Sequence, residues 1–167
     1  MPRLIVVMGV CGCGKSAVGG ALAERLGARF LEGDRFHPAA NIEKMSSGQA
    51  LTDQDRWPWL AAMGEAMGKV PEGSVIAACS ALKRVYREAM TEAAGEPVLF
   101  VLLDGPKALI TERLAARPHH FMPASLLDSQ FATLERPGAE ERAIAVAIDR
   151  PVEAIVDAVC ERLGPTS

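Results

Sequence analysis

The chain predicts an α/β protein built on an open, five-stranded parallel sheet with helices on both faces. Two observations carry this: short apolar runs of strand length alternate with segments of helical periodicity, and the first run opens directly into a glycine-rich turn.

Residues 4–8, Leu-Ile-Val-Val-Met, are continuously apolar and mostly branched, as a strand buried on both faces requires. From Lys15 the apolar Val18, Ala21, Leu22 and Leu26 recur at helical spacing, and Gly27 stands where that helix should stop. Further strands are predicted at 29–31, 74–79, 98–103 and 143–148, with helices at 56–67, 84–93, 107–115 and 152–163. The last two helices begin just after Pro106 and Pro151, whose fixed φ suits a first turn. Residues 116–137 break the rhythm with Pro118, Pro123, Pro137, Arg117, His119, His120 and a short apolar helix over 125–134. This segment is expected to form a small helical lid.

A length of 167 residues with 49% hydrophobic composition fits one domain spanning 1–167. The net charge of −3 offers no global attraction to nucleic acid or an anionic membrane, so neither is expected as a partner. No apolar run approaches the length of a membrane span or a signal sequence. Cys11, Cys13, Cys79 and Cys160 lack the spacing of a metal quartet and are expected to be reduced thiols of a cytoplasmic protein.

The glycine-rich turn reads Gly9-Val10-Cys11-Gly12-Cys13-Gly14-Lys15-Ser16, the G-x-x-x-x-G-K-[ST] phosphate loop, with Ala17 continuing into the helix. Glycines are needed because backbone N–H groups must turn inward around phosphate oxygens, where a Cβ would obstruct either the backbone or the approach. Lys15 is expected on the β- and γ-phosphates of ATP and the Ser16 hydroxyl on Mg²⁺. The fold is therefore that of a P-loop NTPase, a class that includes kinases, GTPases and ATPase machines. No guanine-reading N-K-x-D is present, and the chain is short for a machine. A small-molecule kinase needs an acceptor pocket and a water-excluding lid.

Candidates for that pocket follow the strands. Asp34 comes just after the second strand, where a carboxylate can accept the acceptor hydroxyl's proton or hold Mg²⁺ through water. Asp53 and Asp55 are both candidates to cap the helix starting at Arg56, capping being the better reading for Asp53, and Arg56 is expected to clamp a carboxylate-bearing substrate. Lys83 and Arg87, four residues apart, are expected on one helical face toward an anionic acceptor. Asp104 ends a strand as a Walker B acid would, but it is expected to be a turn residue, because the strand at 74–79 should neighbour the phosphate-loop strand.

Together these blocks resemble the small P-loop gluconokinases, relatives of shikimate and adenylate kinases. The resemblance rests on the loop through Ser16, on Gly33-Asp34 with His37-Pro38, on Asn41-Ile42-Glu43-Lys44-Met45, and on Leu51-Thr52-Asp53 with Asp55-Arg56-Trp57-Pro58-Trp59-Leu60. It continues through Cys79-Ser80-Ala81-Leu82-Lys83, Ser129-Gln130-Phe131 and Pro137-Gly138. It implies Mg²⁺-dependent transfer from ATP to gluconate, usually in a homodimer, with Asp34, His37, Arg56, Lys83 and Arg87 around gluconate and Arg113 and Arg117 facing ATP. Cys11 and Cys13 depart from the serines common in the family loop, and Arg35 beside Asp34 would lower its basicity. A related acceptor such as shikimate, or a non-catalytic nucleotide-binding regulatory module, are the alternatives.

Overall fold

In the computed structural model, residues 3–116 and 124–164 are described. Five strands, β1 (Leu4–Met8), β2 (Arg29–Glu32), β3 (Val75–Ala78), β4 (Val98–Asp104) and β5 (Ala143–Ala147), form one sheet in the order β2-β3-β1-β4-β5. Every pairing is parallel. All side chains of β1 and β3 are buried, whereas the edge strands β2 and β5 are partly open. Alternate residues of a strand face opposite sides, so full burial of β1 means that helices cover both faces.

The helices are α1 (Lys15–Leu26), α2 (Ala39–Ser46), α3 (Asp53–Gly68), α4 (Arg84–Ala94), α5 (Lys107–Ala115), α6 (Ala124–Thr133) and α7 (Val152–Leu163). Contacts pair α1 with α7 and α3 with α4. The second pair approaches closely because α3 offers glycine at the crossing. A Cβ on Gly64 would lie 2.5 Å from the Met90 carbonyl oxygen, and one on Gly68 2.3 Å from that of Ala94. Val18 and Leu22 of α1, Leu60, Met63 and Met67 of α3, Tyr86 and Met90 of α4, and Ile155 and Val159 of α7 close one core around the sheet.

Two elements escape the sequence periodicity. Residues Gly33–Phe36 form a 3-10 turn, and α2 buries only Asn41 while leaving Ile42 half exposed. A helix held by one polar residue presents no apolar stripe to detect. The third helix begins three residues before the expected Arg56, because Thr52 caps it. Thr52 accepts from the Asp55 N–H at 3.2 Å and the Asp55 carboxylate accepts from the Thr52 N–H at 2.8 Å. Capping thus belongs to Thr52 and Asp55 rather than to Asp53.

Candidate active site

Where β1 ends, the chain passes through Gly9, Gly12 and Gly14 at φ of 148°, 85° and 98°. At Gly14 a Cβ would meet nothing, so its requirement is conformational; at Gly12 it would also strike Leu114 of α5 at 2.7 Å. The loop hands over to α1 with no side-chain cap, which leaves the first-turn amides and their partial positive charge at its mouth. Lys15 Nζ donates to the Val10 carbonyl at 3.0 Å, curling over the loop. Ser16, exposed at the start of α1, donates its hydroxyl hydrogen to Glu32 at the end of β2. Two hard oxygen donors thus meet beside the phosphate cradle, a donor set that suits Mg²⁺. Ala17 follows on the exposed face of α1.

Because β2 runs parallel to β3 and β1, its carboxyl end opens on the same edge as the loop. Gly33 is essential there, since a Cβ would lie 2.1 Å from the Ala78 carbonyl oxygen. Its own carbonyl accepts from Trp59 Nε1 at 2.8 Å. The tightened chain then presents Asp34 exposed, with no hydrogen-bond partner for its carboxylate among the described residues. His37 stacks on Trp59, with centroids 3.9 Å apart and planes at 17°. Burial pushes its imidazole down to about 4, and Arg56 adds to that, while Asp34 opposes it, so the ring is neutral near pH 7.

Arg56 is 8% exposed. Its Nη1 donates to the Leu51 carbonyl at 2.8 Å and the Tyr86 hydroxyl at 2.9 Å, and the guanidinium lies 5.1 Å from the Tyr86 ring centroid. No buried side-chain nitrogen or oxygen lacks a partner among the described residues, so Arg56's remaining nitrogens reach solvent. Tyr86 in turn donates to Asp53, which Lys83 Nζ meets at 3.1 Å. Hydrogen bonds from Tyr86 and Lys83 hold the Asp53 carboxyl below its usual range, and the bond to Asp53 raises the Lys83 ammonium.

The structure does not bring Lys83 and Arg87 onto one helical face. Lys83 precedes α4 in an extended conformation (φ −104°, ψ 151°), so helical spacing does not apply to it. Arg87, 2% exposed, turns instead to Glu141 at 2.7 and 3.2 Å and to the carbonyls of Ala81, Leu82 and Glu135. These bonds leave no free guanidinium donor for an anionic acceptor. They hold the turn after β3, where Ala81 has φ 45°, a left-handed conformation costing about 1 kcal/mol.

On the opposite side of the loop, Arg113 of α5 donates to the Ile148 carbonyl just after β5, while Arg117, His119 and His120 lie outside the described residues. Gln130 of α6 accepts from the Cys11 amide at 2.6 Å, which brings the expected lid helix against the cradle. Cys13 and Cys79 are buried, and burial pushes the Cys79 thiol up to about 12, so it is inert. Asp104 is not the expected turn residue but the last residue of β4, paired with Ala147 of β5, and Arg136 clamps its carboxylate bidentately at 2.8 and 2.7 Å; β4, like β3, flanks β1. Glu32, Asn41 and Gln130 are functional candidates that the sequence reading passed over. Glu32's signal was its place two residues before Asp34 at a strand end. A cavity of about 680 Å³ opens between α4 and the amino ends of β4 and β5, at the sheet edge opposite the loop, so it is not part of this site.

Comparison with known proteins agrees with this geometry. A family profile described as an AAA domain matches residues 4–137. The gluconokinase of Gluconobacter oxydans is 48% identical, over 93% of this chain and 88% of the relative. The thermoresistant gluconokinase of Escherichia coli is 46% identical, over 95% of this chain and 92% of the relative. A crystal structure of a gluconokinase from Sinorhizobium meliloti superposes with a TM-score of 0.86 at 47% identity, covering 97% and 95% of the two chains. The shikimate kinase of Aquifex aeolicus, 17% identical with a TM-score of 0.65, shares the fold. With a complete phosphate loop and this likeness along nearly its whole length, the chain belongs to the gluconokinase family of AAA-domain P-loop proteins.

Proposed function

We propose that the chain transfers the γ-phosphoryl group of ATP to the 6-hydroxyl of D-gluconate, giving 6-phospho-D-gluconate. The observation that carries this reading is that the glycine cradle and the exposed carboxylate of Asp34, unpaired among the described residues, open on one edge of the sheet in a chain of this family.

In that reading the cradle from Gly9 to Ala17 holds the phosphates, and Lys15 leaves the Val10 carbonyl for the β- and γ-oxygens, where charge develops in transfer. Ser16 and Glu32 would hold Mg²⁺, which supplies further charge neutralisation on the phosphates. Asp34 accepts the acceptor hydroxyl's proton or orients that hydroxyl. His37, Arg56 and Lys83 line the acceptor side, the two cations suiting the carboxylate of gluconate. Arg87 supports the site by fixing the turn after β3. Arg113 and Arg117 belong to the nucleotide side. A lid over 116–137, a single domain, a homodimer and a cytoplasmic location complete the reading. Among the described residues no helix is long and apolar enough to cross a membrane.

The test is ADP release from Mg²⁺-ATP with gluconate, against shikimate, glycerate, gluconate isomers and no acceptor, with the product identified by mass. Stimulation by gluconate supports the reading. Stimulation by another acceptor alone would replace the substrate, and none from any would leave a nucleotide-binding module.

A further inference from the structure

Asn41 is the one residue that α2 buries, at 4% exposure, and its amide is oriented without ambiguity. Nδ2 lies 2.8 Å from the Asp55 carbonyl oxygen, which can only accept, so this end of the amide is the NH₂ group. The same Nδ2 lies 3.2 Å from Nδ1 of His37, one helical turn earlier in the chain. An amide nitrogen donates and does not accept, so His37 Nδ1 must offer its lone pair. In a neutral imidazole the single proton is then on Nε2.

We propose that Asn41 is a positioning residue for the phosphoryl acceptor: it fixes His37 as the Nε2–H tautomer, so that His37 meets the acceptor as a hydrogen-bond donor and not as a base. The proposal rests on the reading that His37 lines the acceptor side. It also divides labour between two candidates. Nε2 already carries its proton and Nδ1 is covered by Asn41, so a proton leaving the acceptor hydroxyl has Asp34 as its nearby destination.

The surroundings hold the ring in this state from every side. Trp59, itself pinned through Nε1 to the Gly33 carbonyl, fixes the ring plane by stacking. Burial disfavours a second proton most strongly; the 3-10 turn contributes Asp34, whose charge favours that proton, and α3 contributes Arg56, whose charge acts with burial, so the two together outweigh Asp34 and keep the ring uncharged. Asn41 is held in its turn, because Lys44, also on α2, meets Asp55 at 2.7 Å and Asp55 belongs to the α3 capping box. Among the described residues Nε2 has no hydrogen-bond partner, so its N–H is free for a hydroxyl or carboxylate oxygen of a sugar acid.

The experiment is a two-bond ¹H–¹⁵N correlation spectrum of the imidazoles in the full-length chain at pH 7, with His37 assigned by its loss in His37→Gln. A lone-pair Nδ1 and a protonated Nε2 are expected. In Asn41→Asp an acceptor replaces the donor, so the proton should move to Nδ1 or the ring become doubly protonated. KM for gluconate should then rise roughly three- to tenfold, the value of one neutral hydrogen bond, with a smaller change in kcat and in KM for ATP. Asn41→Ala, which only removes the donor, should give a mixture of tautomers. A protonated Nδ1 in the wild-type chain at pH 7 would overturn the tautomer. An unchanged KM in an Asn41→Asp protein whose spectrum has switched would overturn the positioning role. Failure of the wild-type chain to turn over gluconate would overturn the functional reading and the acceptor role together, while the tautomer is read from the spectrum independently.

Discussion

The guanidinium of Arg87 and the carboxylate of Glu141 meet through two hydrogen bonds, of 2.7 and 3.2 Å, across 54 residues of sequence. The pair ties α4 to the segment leading into β5, and the hydrogen bonds to it hold the Glu141 carboxyl below its usual range. Arg87→Met would strand that carboxylate and three backbone carbonyls. The expected cost is about 3–5 kcal/mol, the range for breaking a buried pair by removing one partner. Thermal or urea unfolding would read it, and KM for gluconate should change little in the protein that remains folded. A large KM change with an unaltered unfolding midpoint would return Arg87 to the acceptor pocket.

Lys15 contrasts with Arg87, since its one described hydrogen bond is to the Val10 carbonyl and its side chain is half-buried at the mouth of the cradle. Lys15→Ala should leave the unfolding midpoint nearly unchanged and lower kcat by roughly 10²-fold or more, the scale for removing a charge-stabilising group at a reacting centre. Steady-state kinetics beside a thermal melt separate the two effects.

The contact between Ser16 and Glu32 predicts a metal phenotype. Glu32→Gln keeps a hydrogen-bond acceptor for Ser16 but removes the charge, so the Mg²⁺ concentration for half-maximal activity should rise by at least the roughly 10- to 100-fold seen when only a residue behind a metal ligand is changed. Saturating Mg²⁺ should restore most of kcat. Titration of activity with Mg²⁺ at fixed ATP measures both.

The elements that could be read from sequence are those whose physics is local. The buried strands announce themselves as unbroken apolar runs, and the phosphate loop as a backbone requirement for glycine. The acceptor side was less legible. The 3-10 turn carrying Asp34 depends on Gly33 passing within a Cβ's reach of the Ala78 carbonyl, a contact between segments 45 positions apart that no spacing encodes. Lys83 and Arg87 were grouped by helical spacing, but α4 starts at Arg84, so a boundary of one residue sends the two cations to different partners. Asn41 was passed over because its importance comes from two acceptors that share its one Nδ2 group, one of them 14 residues away.

His37 also links the acceptor side to stability. Its imidazole titrates near the usual 6.5 in an unfolded chain and at about 4 in the folded one. Between those values the unfolded state binds more protons than the folded state, so stability rises with pH and acidification draws the chain toward unfolding. The contribution is complete above about pH 6.5, is lost as pH falls through this window, and levels off near pH 4. Asp55 works lower, since its carboxyl is held at about 2 by Lys44 and Thr52, so the stability it contributes stays present until pH falls below the usual carboxylate value of 3.8. Unfolding midpoints measured from pH 7 to pH 4.5 should therefore decline in the wild-type chain, and His37→Gln, which cannot take up the proton, should flatten that decline. An equally steep slope in the variant would mean that another group titrates in this range and that His37 is not the buried neutral ring described above.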